Sequence, residues 1–495
     1  MALVLATACA RADDAEPTAT TFAYVTPQKK HYLRATVELG AIMVAGAVQY
    51  AAEKGNSTDW DLGYDWPSFR AKLSGEAVRF DTNRFDTNMI THPASGTLYY
   101  IAARGNRLSI LESFLFAAAA STMWEYVGEF REKASVNDLI VTPVAGMVVG
   151  ETLTQLGVLF ERSKKTPVTQ ALAFVLGPSK TIHDWVDGAT PLRSREYDGL
   201  GLSRDEAHRF ELTGAAVATI QDKGPTWADA RLTLRTEVID APGWGLPGRR
   251  SEWLTDGNVS RIDAEAQMGQ VGLSDFQLDF TVAPVAFATR DLVLGEHGLF
   301  GQRLLLGLTA GFDYGVHRYD RTNPDEMDQI SGVHVGGLFV RHDVFLPPLR
   351  IRTTLGLRPG FTAVRSIAVD EYFRMNGTST ANVPTVLNQE SYYFALAANV
   401  SPEIEVSAGP VSVGALARFD TYWSIEGIDR YQEKIASELA LHDRRVLGRA
   451  WLGLSPVEWL TFRVGADRRT RNGQIATAVA ARAENALWAS AGTVF

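Results

Sequence analysis

The sequence predicts an α+β chain, an N-terminal helical module followed by an antiparallel transmembrane β-barrel of about twelve strands. Three observations carry this reading. Apolar residues recur at helical spacing up to about residue 190, and from about residue 208 they alternate with a period of two. Many of the alternating segments are also longer than the five or six residues usual in a soluble strand, long enough to cross a bilayer when tilted. A chain of 495 residues has room for two such units.

In the first half, helices are expected over about residues 32–53, 94–104, 109–130, 143–160 and 167–176, joined by short polar loops. The most apolar of them, VELGAIMVAGAVQYAA, is interrupted by Glu38 and Gln49, and no run of eighteen uninterrupted apolar residues occurs. A buried or interfacial helix is therefore expected there. The predicted organisation is a signal-peptide remnant over 1–12, an N-terminal segment with the apolar helix over 13–69, a helical periplasmic domain over 70–190 and the barrel over 205–495.

In the second half, about twelve alternating segments follow. In RLLLGLTAGFDYGVHR, Leu304, Leu306, Leu308, Ala310, Phe312, Tyr314 and Val316 face one way, while Thr309, Asp313, His317 and the glycines face the other. The same pattern runs through RIRTTLGLRPGF, WLTFRVGADRR and RIDAEAQMG. Tight links (FLPPLR, SAGPV, SPVEW) alternate with three long polar ones, DEYFRMNGTSTANVPTVLNQ, EGIDRYQEKIASELALHDRR and RRTRNGQIATAVAARAEN. Short turns at one rim and long loops at the other describe outer-membrane barrels.

The last residue, Phe495, resembles the C-terminal aromatic read by the barrel assembly machinery of bacterial outer membranes. An even strand number would place both barrel ends, and with them the helices, on the periplasmic side. Arg231, Arg235, Glu237, Asp263, Glu265, Arg418 and Asp420 are the expected lumen set; because both signs are mixed, they predict a self-neutralising plug rather than a pore.

Composition narrows the partners. A net charge of -9 excludes a general nucleic-acid binder, and a single cysteine, Cys9, excludes an intrachain disulfide framework or a thiolate metal cluster. The opening MALVLATACARADD resembles the end of a secretory signal cleaved before Asp13. Outer-membrane lipids are the expected surroundings.

The chemistry-bearing residues lie in the helical half. VRFDTNRFDTNMITHPASGTLYYIAARGN holds a doubled pentapeptide, then His92 and Pro93, with Gly96, Tyr100 and Arg104 following at spacings of four on one helix face. In STMWEYVGEF, Glu125 and Glu129 are expected on one face with Ser121 a turn before. In SVNDLIVTPVAGMVVGETLTQLG, a helix is capped either by Ser135 with Asp138 or by Thr142 with Pro143. Gly146, Gly150, Thr154 and Gly157 there form a small-residue stripe that permits close helix approach.

These three motifs, in the patterns HPxxGxxYY, WEYxxE and SxNDLIxTPxxGxxxGE, resemble the signature of a bacterial family, the domain of unknown function 3943, over roughly residues 70–165. The resemblance marks His92, Pro93, Gly96, Tyr100, Arg104, Ser121, Trp124, Glu125, Glu129, Asn137, Asp138, Gly146, Gly150 and Glu151, and it implies no established activity. More distantly, the order of His, Glu, Asp and Gly is similar to VanZ-like proteins.

Two chemistries suit such residues. His92, Glu125, Glu129 and Asp138 could form an acid and base centre or ligate a divalent cation, with Tyr100, Arg104, Ser121, Trp124, Asn137 and Glu151 as binding residues. Alternatively the carboxylates are structural, with Arg104 paired to Glu125 or Glu129. No GxSxG, HExxH or GxxxxGK[ST] motif occurs, and no cofactor is expected beyond such a cation. The expected function is a non-enzymatic outer-membrane protein whose helices sit beneath the barrel and contact lipid headgroups or cell-wall glycan. A lipid- or glycan-modifying enzyme and an outer-membrane channel are the alternatives.

Overall fold

The computed structural model describes residues 16–17, 22–54, 61–81, 83–221, 225–241, 243–319, 321, 327–376, 387, 390–425 and 441–495. The expected signal segment and Cys9 lie outside the described residues.

Twelve strands form the barrel: β1 (Ala207–Gln221), β2 (Thr226–Ile239), β3 (Val259–Gly269), β4 (Gly272–Gly295), β5 (Gly298–His317) and β6 (Asp328–Leu346). The rest are β7 (Leu349–Arg365), β8 (Tyr393–Ala408), β9 (Val411–Ser424), β10 (Leu441–Val457), β11 (Leu460–Ile475) and β12 (Ala478–Val494). Each pairs antiparallel with the next, and β12 pairs with β1 from Glu484 opposite Gln221 to Val494 opposite Glu211, which closes the sheet. The short strand Gly248–Leu254 continues the edge of β4 beyond the end of β3.

One rim carries the connections 240–258, 296–297, 347–348, 409–410 and 458–459 together with both ends of the barrel chain; it is called the turn rim below. The opposite, long-loop rim carries 318–327, 366–392 and 425–440 and the tight links 222–225, 270–271 and 476–477. The third expected long loop, RRTRNGQIATAVAARAEN, is instead the end of β11, a turn and the start of β12. Its polar residues mislead because they face the lumen: Arg469 binds Asp275 at 2.8 Å and Arg471 binds Asp328 at 2.9 Å.

The dyad pattern sorts cleanly between the two faces. Leu212, Leu232, Leu308, Leu396, Leu452, Val464 and Leu487 are exposed on the outside. Inside, the expected lumen residues are all paired: Arg231 with Asp467 at 3.0 Å, Arg235 with Asp263 at 3.5 Å and Glu265 with Arg449 at 3.0 Å. Arg418 holds Asp420 at 3.0 Å, and Glu237 accepts from Arg341. Asp343 alone accepts from Arg303, Arg341, Arg350 and Arg352, at 2.8 to 3.2 Å. An apolar exterior around an ion-paired interior is the construction of a transmembrane barrel.

Both mouths are narrowed. At the long-loop rim, helix α8 (Val369–Asn376), numbered after the seven helices named next, brings Val369 and Tyr372 into a buried cluster with Tyr319, Tyr393 and Tyr422. At the turn rim, Trp244 is buried, with the inward Arg303 stacked over its ring at 5.1 Å.

The helical module comprises α1 (Tyr32–Lys54), α2 (Trp66–Ser74), α3 (His92–Gly105), α4 (Ile110–Met123), α5 (Val136–Arg162), α6 (Pro167–Leu176) and α7 (Pro178–Asp187). Ser109 and Glu112 form a capping box for α4, and Ser135 caps α5, so that helix starts well before Pro143, which lies inside it. Single π-helical turns precede α3 (Thr87–Thr91) and follow α4 (Trp124–Gly128).

The helices do not sit beneath the barrel, as the sequence predicts; they lie against its outer wall. Phe80, Phe85, Met89, Tyr100, Val141, Val144 and Val148 share one core with Val282, Ala310, Phe312, Val333, Phe361 and Phe394. Ala310 and Phe312 are on the same face of β5 as the exposed Leu308, opposite to Asp313, whose carboxylate pairs with His334 and Arg418 inside. At its far end, Leu156 and Leu159 of α5 pack with Val238, and Phe160 stacks on Phe210 at 6.2 Å.

Helix α5, about 40 Å long at 1.5 Å per residue, thus runs from the long-loop rim to the turn rim. The physical reason is the small-residue stripe: Gly96 and Gly146 let α3 and α5 touch backbone to backbone, so the pair forms a thin slab with one face for the barrel.

The outer face of the module is apolar. Leu33, Val37, Val44 and Val48 of α1, Leu98 of α3 and Leu111, Leu115 and Met123 of α4 are all exposed. Helix α1, expected to be buried or interfacial, is therefore largely uncovered, and both α1 and α5 are long and apolar enough to cross a membrane by length and composition.

Candidate functional site

The predicted site residues fall into two networks at opposite ends of α3. His92 and Arg104 are twelve residues apart, about 18 Å along the helix, so the expected single constellation is divided between the long-loop rim and the turn rim.

Toward the turn rim, Tyr100, Arg104 and Glu151 interlock. The Tyr100 hydroxyl donates to Glu151 Oε2 at 2.6 Å, Arg104 Nε donates to the same oxygen at 2.8 Å, and Gln155 Nε2 donates to Oε1 at 2.6 Å. Arg104 also reaches Asp256 of the 240–258 connection at 3.1 Å and the Leu108 carbonyl at 2.7 Å. Arg104 is 1% and Glu151 0% exposed, and the network joins helices to barrel with its hydrogen bonds filled. Arg104 does not pair with Glu125 or Glu129, because the turn from α4 to α5 places those residues at the other rim.

At the long-loop rim, the two pentapeptides become two anchors. Phe80 of the first stacks on Phe361 at 5.9 Å and lies tilted against Phe394 at 5.5 Å, and Phe85 of the second packs edge-on to Tyr392 at 5.3 Å. Their polar partners then converge: Asn88 Nδ2 donates to Asp81 Oδ1 at 2.7 Å and contacts the Tyr392 hydroxyl at 2.9 Å.

Asn137 joins them, donating to Asp138 Oδ1 at 2.9 Å and accepting from the Asp81 backbone at 3.0 Å. His92 Nε2 stands 3.4 Å from Asp138 Oδ2. Asp81, His92 and Asp138 each present a ligand atom, all within 4.8 Å of one another.

Glu125 and Glu129 do not share a face. The π-helical turn Trp124–Gly128 over-widens the helix between them, so Glu125 is buried and accepts from Ser135 N at 2.7 Å, while Glu129 accepts from Trp124 Nε1 at 3.0 Å. Lys72 of α2, itself buried, donates to the Glu125 and Glu129 carbonyls at 2.6 and 2.7 Å. Ser121 donates to the Asp138 carbonyl at 3.0 Å, tying α4 to α5. Trp124 packs edge-on to Tyr50 of α1 at 6.0 Å.

Burial governs protonation at this rim. It pushes the Glu125 carboxyl well up, reinforced by Glu129, and it pushes the Lys72 ammonium down. Beside them, Asp81 and Asp138 have no bonded basic side chain other than His92 among the described residues. Such a centre could hold a cation or move a proton between Asp138 and His92.

Asp81, Asn88, Lys72, Tyr392 and Asp256 are not among the residues that the sequence singles out. Asp81 and Asn88 lie inside the doubled pentapeptide, and that repetition is the signal that points to them. Lys72, Tyr392 and Asp256 come from distant segments and carry none.

Residues 77–179 match the family described as Domain of unknown function (DUF3943). No curated protein matches the chain. Among solved structures, the chain is similar to the translocator domain of autotransporter NalP from Neisseria meningitidis, with 10% identity over 66% of this chain and 97% of that one and a TM-score of 0.22.

OmpT, an outer membrane protein of Vibrio cholerae, aligns with 8% identity over 59% of this chain and 99% of its own, with a TM-score of 0.22. The outer membrane channel DcaP of Acinetobacter baumannii aligns with 10% identity over 60% and 99%, with a TM-score of 0.19. Superpositions this loose carry no functional weight.

Proposed function

We propose that this is a non-enzymatic bacterial outer-membrane protein in which the barrel is a filled scaffold and the helical module is a lipid-contacting element carried on the barrel's outer wall. The observation that supports it most is the exposed apolar band on α1, α3 and α4, which lies beside the barrel's own apolar exterior rather than below it.

The band has the thickness of a bilayer core. Helix α1 spans about 35 Å at 1.5 Å per residue, close to the roughly 30 Å hydrocarbon layer. Aromatic residues that favour the membrane interface mark both ends: Tyr32 and Trp185 toward the turn rim, Tyr64 and Trp66 toward the long-loop rim, all strongly exposed. Ion pairs gather at the turn-rim end, where Lys30 meets Glu112 at 2.7 Å and Arg34 meets Asp187 at 2.8 Å. On this reading, periplasmic placement applies to the turn-rim end of the module, with α6 and α7, while α1 and α3 to α5 lie at membrane depth.

A channel is the least supported reading, since a lumen cavity of about 150 Å³ is ringed by paired Arg235, Asp263, Glu265, Arg358 and Arg418.

Spin labels at single cysteines replacing Val44 or Leu115, in a Cys9→Ser background reconstituted into liposomes, test the placement. Oxygen should relax them far more effectively than a water-soluble nickel chelate. The reverse preference would place these faces in water and end the proposal.

A catalytic reading draws on the His92 and Asp138 pair. It requires the lipid profile of cells to change when the chain is removed and to stay changed when His92→Ala replaces it; identical profiles leave the non-enzymatic reading standing.

A further inference from the structure

We infer that Asp81, His92 and Asp138 form a binding site for a first-row divalent cation, with Zn²⁺ the best-fitting ion. The inference goes beyond the lipid-contacting role and does not depend on it.

The donor set comes first. Two carboxylates and one imidazole are the hard and borderline ligands that Zn²⁺ and Mn²⁺ accept, and three protein ligands leave a coordination position open. Their geometry fits as well. His92 Nε2 and Asp138 Oδ2 are 3.4 Å apart, the edge expected between two ligands each about 2.0–2.1 Å from a tetrahedral ion, and the third ligand atom lies within 4.8 Å of both.

Two buried atoms also lack partners. His92 Nε2 has no accessible surface and no hydrogen bond, although a carboxylate stands beside it. Asn88 is 0% exposed, yet its Oδ1 is unpartnered while its Nδ2 holds Asp81 Oδ1 at 2.7 Å. A buried polar atom left without a partner is costly, and a cation seated between His92 Nε2 and the Asp138 carboxylate would supply one.

The surroundings are those of a held ligand rather than a solvated one. Asn83 and Asn88 both donate to Asp81, at 2.7 Å each, and Asn137 donates to Asp138 at 2.9 Å, so each carboxylate is oriented by amides that leave charge uncompensated. Among the described residues no lysine or arginine bonds to either. His92 keeps 14% of its side chain exposed, so the cluster lies close to the surface.

The test uses the full-length protein purified in detergent, stripped with a chelator and dialysed against Zn²⁺, then against Mn²⁺, with bound metal counted by mass spectrometry. One equivalent of Zn²⁺ per chain is expected, and affinity should fall at least about tenfold in His92→Ala and in Asp138→Asn. Heat-modifiable gel mobility reports whether each variant's barrel is folded.

X-ray absorption of the zinc-loaded wild-type protein guards against variants that misfold: one imidazole with oxygen ligands is expected. Absence of stoichiometric uptake by the wild type, a spectrum without imidazole scattering, or uptake unchanged in both folded variants would overturn the site.

Discussion

Gly96 and Gly146 meet backbone to backbone where α3 crosses α5. A Cβ on Gly146 would lie 2.4 Å from the Gly96 carbonyl carbon, and one on Gly96 would lie 1.9 Å from the Thr142 carbonyl oxygen. Neither neighbour is a side chain that can swing away. Gly96→Ala or Gly146→Ala should push the helices apart and destabilise the module by at least the roughly 1–3 kcal/mol typical of overpacking. Limited proteolysis should cut the module earlier in both variants while the barrel keeps its heat-modifiable mobility; equal proteolytic lifetimes would contradict the close crossing.

Glu151 is the single carboxylate that Tyr100, Arg104 and Gln155 all address. Glu151→Leu removes the charge that balances a buried Arg104 and should cost about 3–5 kcal/mol. Removing both charges, in Arg104→Met with Glu151→Leu, should be milder than the single change, because no uncompensated ion remains, although Asp256 then loses a partner. Thermal denaturation followed by helix dichroism ranks the two variants, and a double variant worse than the single one would show that the pair is net stabilising in its own right.

The barrel was legible in the sequence because alternation is a local signal: Asp313 and Phe312 announce opposite faces with no knowledge of their neighbours. The third long connection was misread for the same reason, since Arg469 and Arg471 look solvated until Asp275 and Asp328, from other strands, are seen beside them. Five of the seven module helices were legible as helices, and their motifs as important, but not their seat; α2 and α7, at nine and ten residues, are too short to show a clear helical period. Whether Ala310 and Phe312 face lipid or a helix depends on which segment covers them, and that is a property of the assembled fold. The candidate site was half-read: His92 and Asp138 stood out, whereas Asp81 and Asn88 acquire meaning only when the two Phe anchors lock the doubled pentapeptide onto the barrel.

Asp343 predicts how the lumen is held together. Four guanidinium groups point at it, and its side chain is 0% exposed. Asp343→Asn keeps the shape but leaves Arg303, Arg341, Arg350 and Arg352 facing one another with less compensating charge. The barrel should fold more slowly and lose heat-modifiable mobility at a lower temperature, while Asp291→Asn, whose pairing with Arg249 is exposed and long at 3.8 Å, should have little effect. Gel-shift temperature profiles of the two variants measure the difference, and matching profiles would mean that the lumen pairs do not carry barrel stability.

Asp187, at the end of α7, predicts a pH dependence for the turn-rim end of the module. Hydrogen bonds from Arg34, at 2.8 and 3.0 Å, and from Arg107, at 2.7 Å, hold its carboxyl below the usual range, with partial burial opposing them. A carboxylate whose folded value is depressed adds stability that is present above its unfolded value, about 3.9 for aspartate, and lost as the pH falls through the folded one. Asp187→Asn should therefore lower stability at neutral pH by on the order of 1 kcal/mol, and the gap between variant and wild type should close as the pH falls below about 4. The measurement is chemical unfolding of the helices across that range in a detergent that leaves the barrel intact. A gap that stays constant down to strongly acid pH would mean that Asp187 is held by shape and hydrogen bonding alone and that its charge contributes nothing to the module.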